Sequence, residues 1–114
     1  MKNNLIKISV FCTSLFLSCT ANSQVKTFGD FDCGYWVKNR NTQSYAEMGM
    51  RSWVTGYLSG LNAALASPKN DPLNRTSADQ VYLWMDKYCR ETPLSNIQLG
   101  ANKLYEELEI RSKK

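Results

Sequence analysis

From Ser44 onward, the apolar positions of this 114-residue chain recur at intervals of three and four. Met50, Trp53, Val54, Tyr57, Leu58, Leu61, Ala64 and Leu65 fall on one stripe at the helical period, which predicts a long helix. Ser44 stands before it with Glu47 three residues on, the spacing of a reciprocal capping box. A second stripe holds Ala78, Val81, Tyr82, Met85, Tyr88 and Cys89, with Trp84 at its border. It predicts a helix that starts at Thr76 or Ser77 and stops at Thr92, because the residue before a proline disfavours helical geometry. A third stripe, Ile97, Ala101, Leu104, Tyr105 and Leu108, predicts a last helix capped by Ser95. Upstream, Asp30 reads as the cap of a short helix reaching about Arg40, with Phe31, Tyr35 and Trp36 inward. No segment alternates with the period of a strand. The expected fold is therefore all-α, a bundle of three main helices plus a short N-terminal one.

Residues 39–43 and 67–76 read as polar loops, the second carrying Pro68 and Pro72. Gly49, Ser52, Gly56, Gly60 and Ala63 run beside the long apolar stripe. A glycine inside a helix costs about 1 kcal/mol relative to alanine, so close approach of another backbone is the expected return. Two readings of that approach stand: packing within the monomer, or a helix-to-helix homodimer. Glu106, Glu107 and Glu109 read as a solvated face, and Asp86 lies off the apolar stripe of its helix.

The first residues interrupt this pattern. Lys2 and Lys7 precede an apolar run from Ile8 to Leu17, which is too short to cross a bilayer about 30 Å thick. Ala21-Asn22-Ser23 supplies small side chains for cleavage before Gln24. Residues 1–23 are thus expected to be a secretory signal peptide, with 24–114 as a single domain. A competing reading takes Phe16-Leu17-Ser18-Cys19 as a bacterial lipobox, with Cys19 as the lipidated first residue and a membrane anchor as the result. Both readings export the protein, to the periplasm or beyond, or to a lipid-anchored position on the envelope.

Removing the leader changes the arithmetic of charge and cysteine. The formal charge of +4 falls to +2 without Lys2 and Lys7, and the remaining basic residues are scattered, so nucleic acid is not an expected partner. Of four cysteines, Cys33 and Cys89 remain, and in an exported chain a pair reads as a disulfide. Closing a loop of about 57 residues contributes roughly 4 kcal/mol in the chain-entropy treatment. A reactive thiol needs a base to form thiolate, and the chain has no histidine. The same lack disposes of Ser59 in Gly56-Tyr57-Leu58-Ser59-Gly60, which also has no preceding strand. Asp30 with Asp32, and Asp86 with Glu91, read as surface acids rather than a glycosidase pair. No nucleotide loop or metal-ligand spacing occurs, so the expectation is a non-enzymatic protein without cofactor or metal.

Three blocks carry a resemblance: Cys33-Gly34-Tyr35-Trp36, Trp53-Val54-Thr55-Gly56-Tyr57-Leu58-Ser59-Gly60-Leu61-Asn62, and Trp84-Met85-Asp86-Lys87-Tyr88-Cys89-Arg90-Glu91-Thr92-Pro93-Leu94. Over about residues 32–108 the chain resembles the Rap/Tai group of small periplasmic immunity proteins of type VI secretion. That resemblance implies a helical, often dimeric protein whose partner is a cell-wall amidase, a hydrolase effector that it blocks. It transfers no inhibitory residue to a position here. An alternative from another class is an acid-stress periplasmic chaperone of the Hde type, similar in size and also held by one disulfide. A lipid-anchored structural role in the envelope is a third. For a bound protein partner, the 67–76 loop is the first place to look, with Asn70, Asp71, Asn74 and Arg75 as its polar contacts.

Overall fold

A computed structural model of the protein describes residues 27–114. The expected signal peptide, the cleavage point before Gln24 and Cys19 lie outside the described residues. Four helices follow one another: α1 (Cys33–Asn39), α2 (Tyr45–Leu65), α3 (Ala78–Glu91) and α4 (Ile97–Ser112). No strand occurs among the described residues, and the fold is all-α. α4 packs on both α2 and α3, while α1 lies against α3 and touches α2.

The apolar stripes account for the core. Met50, Val54 and Leu58 of α2, Val81, Met85 and Cys89 of α3, and Ile97, Ala101 and Leu104 of α4 are all buried. Fully burying a side chain such as Leu58 or Ile97 contributes about 1.5–3 kcal/mol each. The stripe of α2 fades toward its C-terminus: Leu65 is exposed, and Ala64 with it. On α3, Ala78 is exposed rather than inward. On α1 only Trp36 and Cys33 are buried, whereas Tyr35 is exposed and stacks on Phe31 with ring centroids 5.0 Å apart. Seven residues make about two turns, so α1 offers a single inward row.

The caps differ from the expected ones in an instructive way. Asp32, not Asp30, caps α1, accepting from Tyr35 N at 2.6 Å. Asp30 serves α4 instead, its Oδ1 accepting from Gln98 N at 3.2 Å. Asn96 rather than Ser95 caps α4. Ser95 has other duties: its carbonyl accepts from Cys33 N at 2.9 Å and its hydroxyl meets the Tyr88 hydroxyl at 2.5 Å. With Phe31 O accepting from Ile97 N at 2.9 Å, residues 30–33 become a strap across the α3–α4 corner. The strap continues to α2, where Trp53 Nε1 donates to Phe28 O at 2.6 Å. Gly29, at φ +74°, turns the chain there beneath the Trp53 ring. α3 begins as expected, with a full capping box between Ser77 and Gln80.

Cys33 and Cys89 form the expected disulfide, joining the first residue of α1 to the last turn of α3 with both cysteines buried. One glycine is fixed by packing. A Cβ on Gly100 would stand 2.7 Å from Met85 Cε and from Tyr88 Cδ1. Gly100→Ala is therefore expected to destabilise the fold by about 1–3 kcal/mol through overpacking between α3 and α4. A urea midpoint equal to that of the parent would refute this contact.

Candidate functional site

Two features stand out from the scaffold, a part-buried charge cluster and an open groove. The cluster begins with Arg40, the C-cap of α1. Its Nε and Nη2 donate to Asp86 of α3 at 2.6 and 2.9 Å, and its Nη1 donates to Glu47 of α2 at 2.7 Å. One guanidinium thus ties three helices, and the Arg40 and Asp86 side chains are only 14% and 13% exposed. Its planar fork matches the Asp86 carboxylate two bonds at once, which a lysine cannot do. Trp36 Nε1 adds a bond to Asp86 at 2.8 Å, and the guanidinium carbon sits 5.7 Å from the Trp36 ring.

Glu47 holds the far end. It does not complete the expected capping box with Ser44; only the Ser44 half is made, from Glu47 N at 3.2 Å. The carboxylate turns instead to Asn41 N at 3.0 Å and Gln43 N at 2.9 Å. Both of those residues have left-handed backbone, at φ 63° and 54°, a conformation that non-glycine residues adopt only when their surroundings enforce it. Those two N–H donors, with Arg40 adding to them, hold the Glu47 carboxyl below its ordinary range. The Arg40 guanidinium is pushed up, chiefly by its hydrogen bonds to Asp86. Asp86 and Arg40 are therefore not the surface acid and loop cation that the sequence suggested.

The groove, of about 960 Å³, lies between the 67–76 loop, the outer face of α3 and the C-terminal half of α4. Of the four loop residues expected to contact a partner, Asp71, Asn74 and Arg75 line it and Asn70 does not. Asn70 is half-buried: its backbone pairs with Ser67, and its side chain accepts from the Ser112 hydroxyl, which fastens the loop to the end of α4. Asp71 Oδ1 accepts from Asn62 Nδ2 at 2.9 Å and from Leu73 N at 3.2 Å. It anchors the loop to α2 while bordering the groove. Arg75 is exposed and has no acidic partner among the described residues.

Sequence reasoning missed the opposite wall. Trp84 stacks on Tyr88 at 5.5 Å between centroids and donates from Nε1 to Glu107 at 2.9 Å, so Glu107 is not merely solvated. Leu83 beside it is 66% exposed and forms a ridge between this groove and a smaller one lined by Arg40, Glu47, Arg51 and Asp79. A leucine whose neighbours three and four residues away on the helix are Asp79, Gln80, Asp86 and Lys87 was the available signal.

The glycine stripe of α2 is open to solvent. A Cβ at Gly49, Gly56 or Gly60 would meet nothing within 4 Å, and Ser52 and Ala63 are exposed. The expectation of tight packing inside the monomer is thereby corrected.

Among the described residues, no group of three or more His, Cys, Asp or Glu is placed to hold a metal ion, and no helix is long and apolar enough to cross a membrane. No protein-family model matches the chain, and neither does any curated protein or solved structure.

Proposed function

We propose that this chain is an exported protein-binding domain of the immunity type, which blocks a cell-wall amidase delivered by type VI secretion. The observation that carries the reading is the groove: a polar loop fastened through Asn70 to α4 and through Asp71 to α2 presents Asn74 and Arg75 beside an exposed leucine. Binding residues borne on a loop that a rigid scaffold positions are the usual arrangement of recognition surfaces. The resemblance of the Trp36, Trp53 and Trp84 blocks to periplasmic immunity proteins supplies the partner class.

The test is inhibition of the type VI amidase encoded by the same organism, assayed on purified cell-wall sacculi. Stoichiometric suppression by the purified chain is the expected result, and unimpaired hydrolysis under a tenfold excess overturns the proposal. Arg75→Ala is expected to weaken inhibition by about tenfold, the size of one charge-assisted contact. Asp71→Ala should weaken it as well, by releasing the loop from Asn62. Full inhibition by both variants would remove the loop from the interface.

A further inference from the structure

We infer that the groove between α3, α4 and the 67–76 loop receives an acidic segment of polypeptide, anchored by an apolar side chain against Leu83 and Trp84. The inference rests on the protein-binding reading above and specifies the chemistry of the partner.

Charge gives the first half of the argument. Lys69, Arg75, Lys87, Arg111 and Lys114 all line the groove, against the single acid Asp71. Asp71 is already committed to Asn62 and to the backbone of Leu73. Arg111 pairs with Glu107, and Lys87 stands 4.0 Å from Glu91 with both side chains largely exposed. Lys69, Arg75 and Lys114 have no acidic partner among the described residues. Three of the five cations thus stand without an acidic partner, a local excess of positive charge in a protein whose formal charge is +4. Field from such a concave cationic lining concentrates anionic groups and speeds their arrival.

Shape and polarity give the second half. Beneath the cations lie Leu104 and Leu108, which are 3% and 9% exposed, with the Trp84 ring held in place by Tyr88 and Glu107. Leu83 projects beside them at 66% exposure. A volume of about 960 Å³ sits at the top of the range of small-molecule clefts, roughly 300–1,000 Å³, and this one is partly open to solvent. An open trough of that size suits a run of chain. Its occupant presents carboxylates to the rim and an apolar side chain to the floor, the pattern of an amphipathic segment laid into a groove. An anionic lipid surface shares the charge, but a flat bilayer does not reach an apolar floor as little exposed as Leu104 and Leu108.

The experiment is a two-dimensional NMR titration of the protein, purified as the expressing cell processes it. Three probes are compared: a 14-residue peptide of glutamate and leucine in helical amphipathic order, its lysine counterpart, and phosphatidylglycerol vesicles. The acidic peptide is expected to shift the Trp84 indole and the amides of Leu83, Lys87 and Arg75, and the lysine peptide to shift none of them. Leu83→Asp is expected to weaken the acidic peptide at least tenfold with an unchanged melting temperature, since that side chain supports no core contact. The paired reversal Arg75→Glu with Lys87→Glu is expected to do the same. Raising salt from 50 to 300 mM should weaken the parent several-fold, because exposed charges are screened within about 8 Å. Shifts scattered over all basic residues, or affinity untouched by Leu83→Asp, overturn the inference. Vesicle binding that needs Leu83 while the peptide fails overturns it in favour of a lipid surface. Groove binding of the peptide without inhibition of the amidase ends the immunity reading alone. Full amidase inhibition by Leu83→Asp ends this inference alone.

Discussion

Replacing Cys33 and Cys89 together by alanine lowers the stability of the fold by about 4 kcal/mol, the chain-entropy value for a covalent loop this long. The two positions are 56 apart in sequence, and their Cα atoms stand 4.8 Å apart in the structure. Small domains have total stabilities of about 5–15 kcal/mol, so the loss moves the protein close to its unfolding threshold. At roughly 4–8 °C per kcal/mol for a domain of this size, the melting temperature falls by about 15–30 °C. Denaturation in urea with and without reductant is the direct measurement. Coincident curves would show that the covalent link adds nothing to the noncovalent strap. The effect should also be uneven along the chain. α1 buries only Cys33 and Trp36, so its amide exchange quickens most, while the α2–α4 contact, independent of the bridge, retains its protection.

Arg40→Met carries the second large effect, a loss of about 3 kcal/mol. Removing one member of a part-buried ion cluster leaves its partners desolvated and unpaired, which costs more than the pair itself contributed. Here Asp86 loses a two-point partner and Glu47 loses a third donor. Adding Asp86→Asn to Arg40→Met should recover part of the loss, because the uncompensated charge then disappears. A single variant within about 0.5 kcal/mol of the parent in urea would show that the cluster is not needed. The cluster also shapes the acid limb of stability. Glu47 has a folded value below its ordinary 4.5, so its contribution is complete above pH 4.5 and is lost as pH falls through the lower folded value. Glu47→Gln should therefore flatten the fall in melting temperature below pH 4.5. An acid limb of unchanged slope would assign that fall to other carboxylates.

How much of this was legible in the chain can be seen residue by residue. Helical periodicity located Met50, Val54, Leu58, Val81, Met85, Leu104 and Leu108, since a side chain repeating every three or four residues has one face to bury. Cysteine count paired Cys33 with Cys89 on the expectation that Cys12 and Cys19 belong to a signal peptide. Caps were harder. Asp30 and Asp32 have the same chemistry, and only the fold decides that one serves α1 and the other the distant α4. Ser44 and Glu47 have the spacing of a capping box, but the left-handed turn at Asn41 and Gln43 offered Glu47 two better-placed donors. Asp86 and Arg40 escaped altogether, because a helical period sorts residues on one helix and says nothing of which polar groups meet across three. The same blindness hid the groove: the loop was visible as a loop, whereas Leu83 gains its meaning from Trp84, Arg75 and the end of α4.

The three tryptophans sit at three different joints. Trp36 is fully buried and bonded to Asp86 inside the charge cluster, Trp53 clasps the Phe28 carbonyl, and Trp84 forms a wall of the groove. Each indole N–H has a distinct acceptor, and the Trp36 ring is buried whereas the Trp53 and Trp84 rings are partly so. The protein thus carries three built-in optical labels. Variants keeping one tryptophan at a time, with phenylalanine at the other two, would let emission colour report separately on the centre, the leading segment and the recognition trough. Loosening of the strap formed by residues 28–33 and filling of the trough could then be timed against each other in one cuvette.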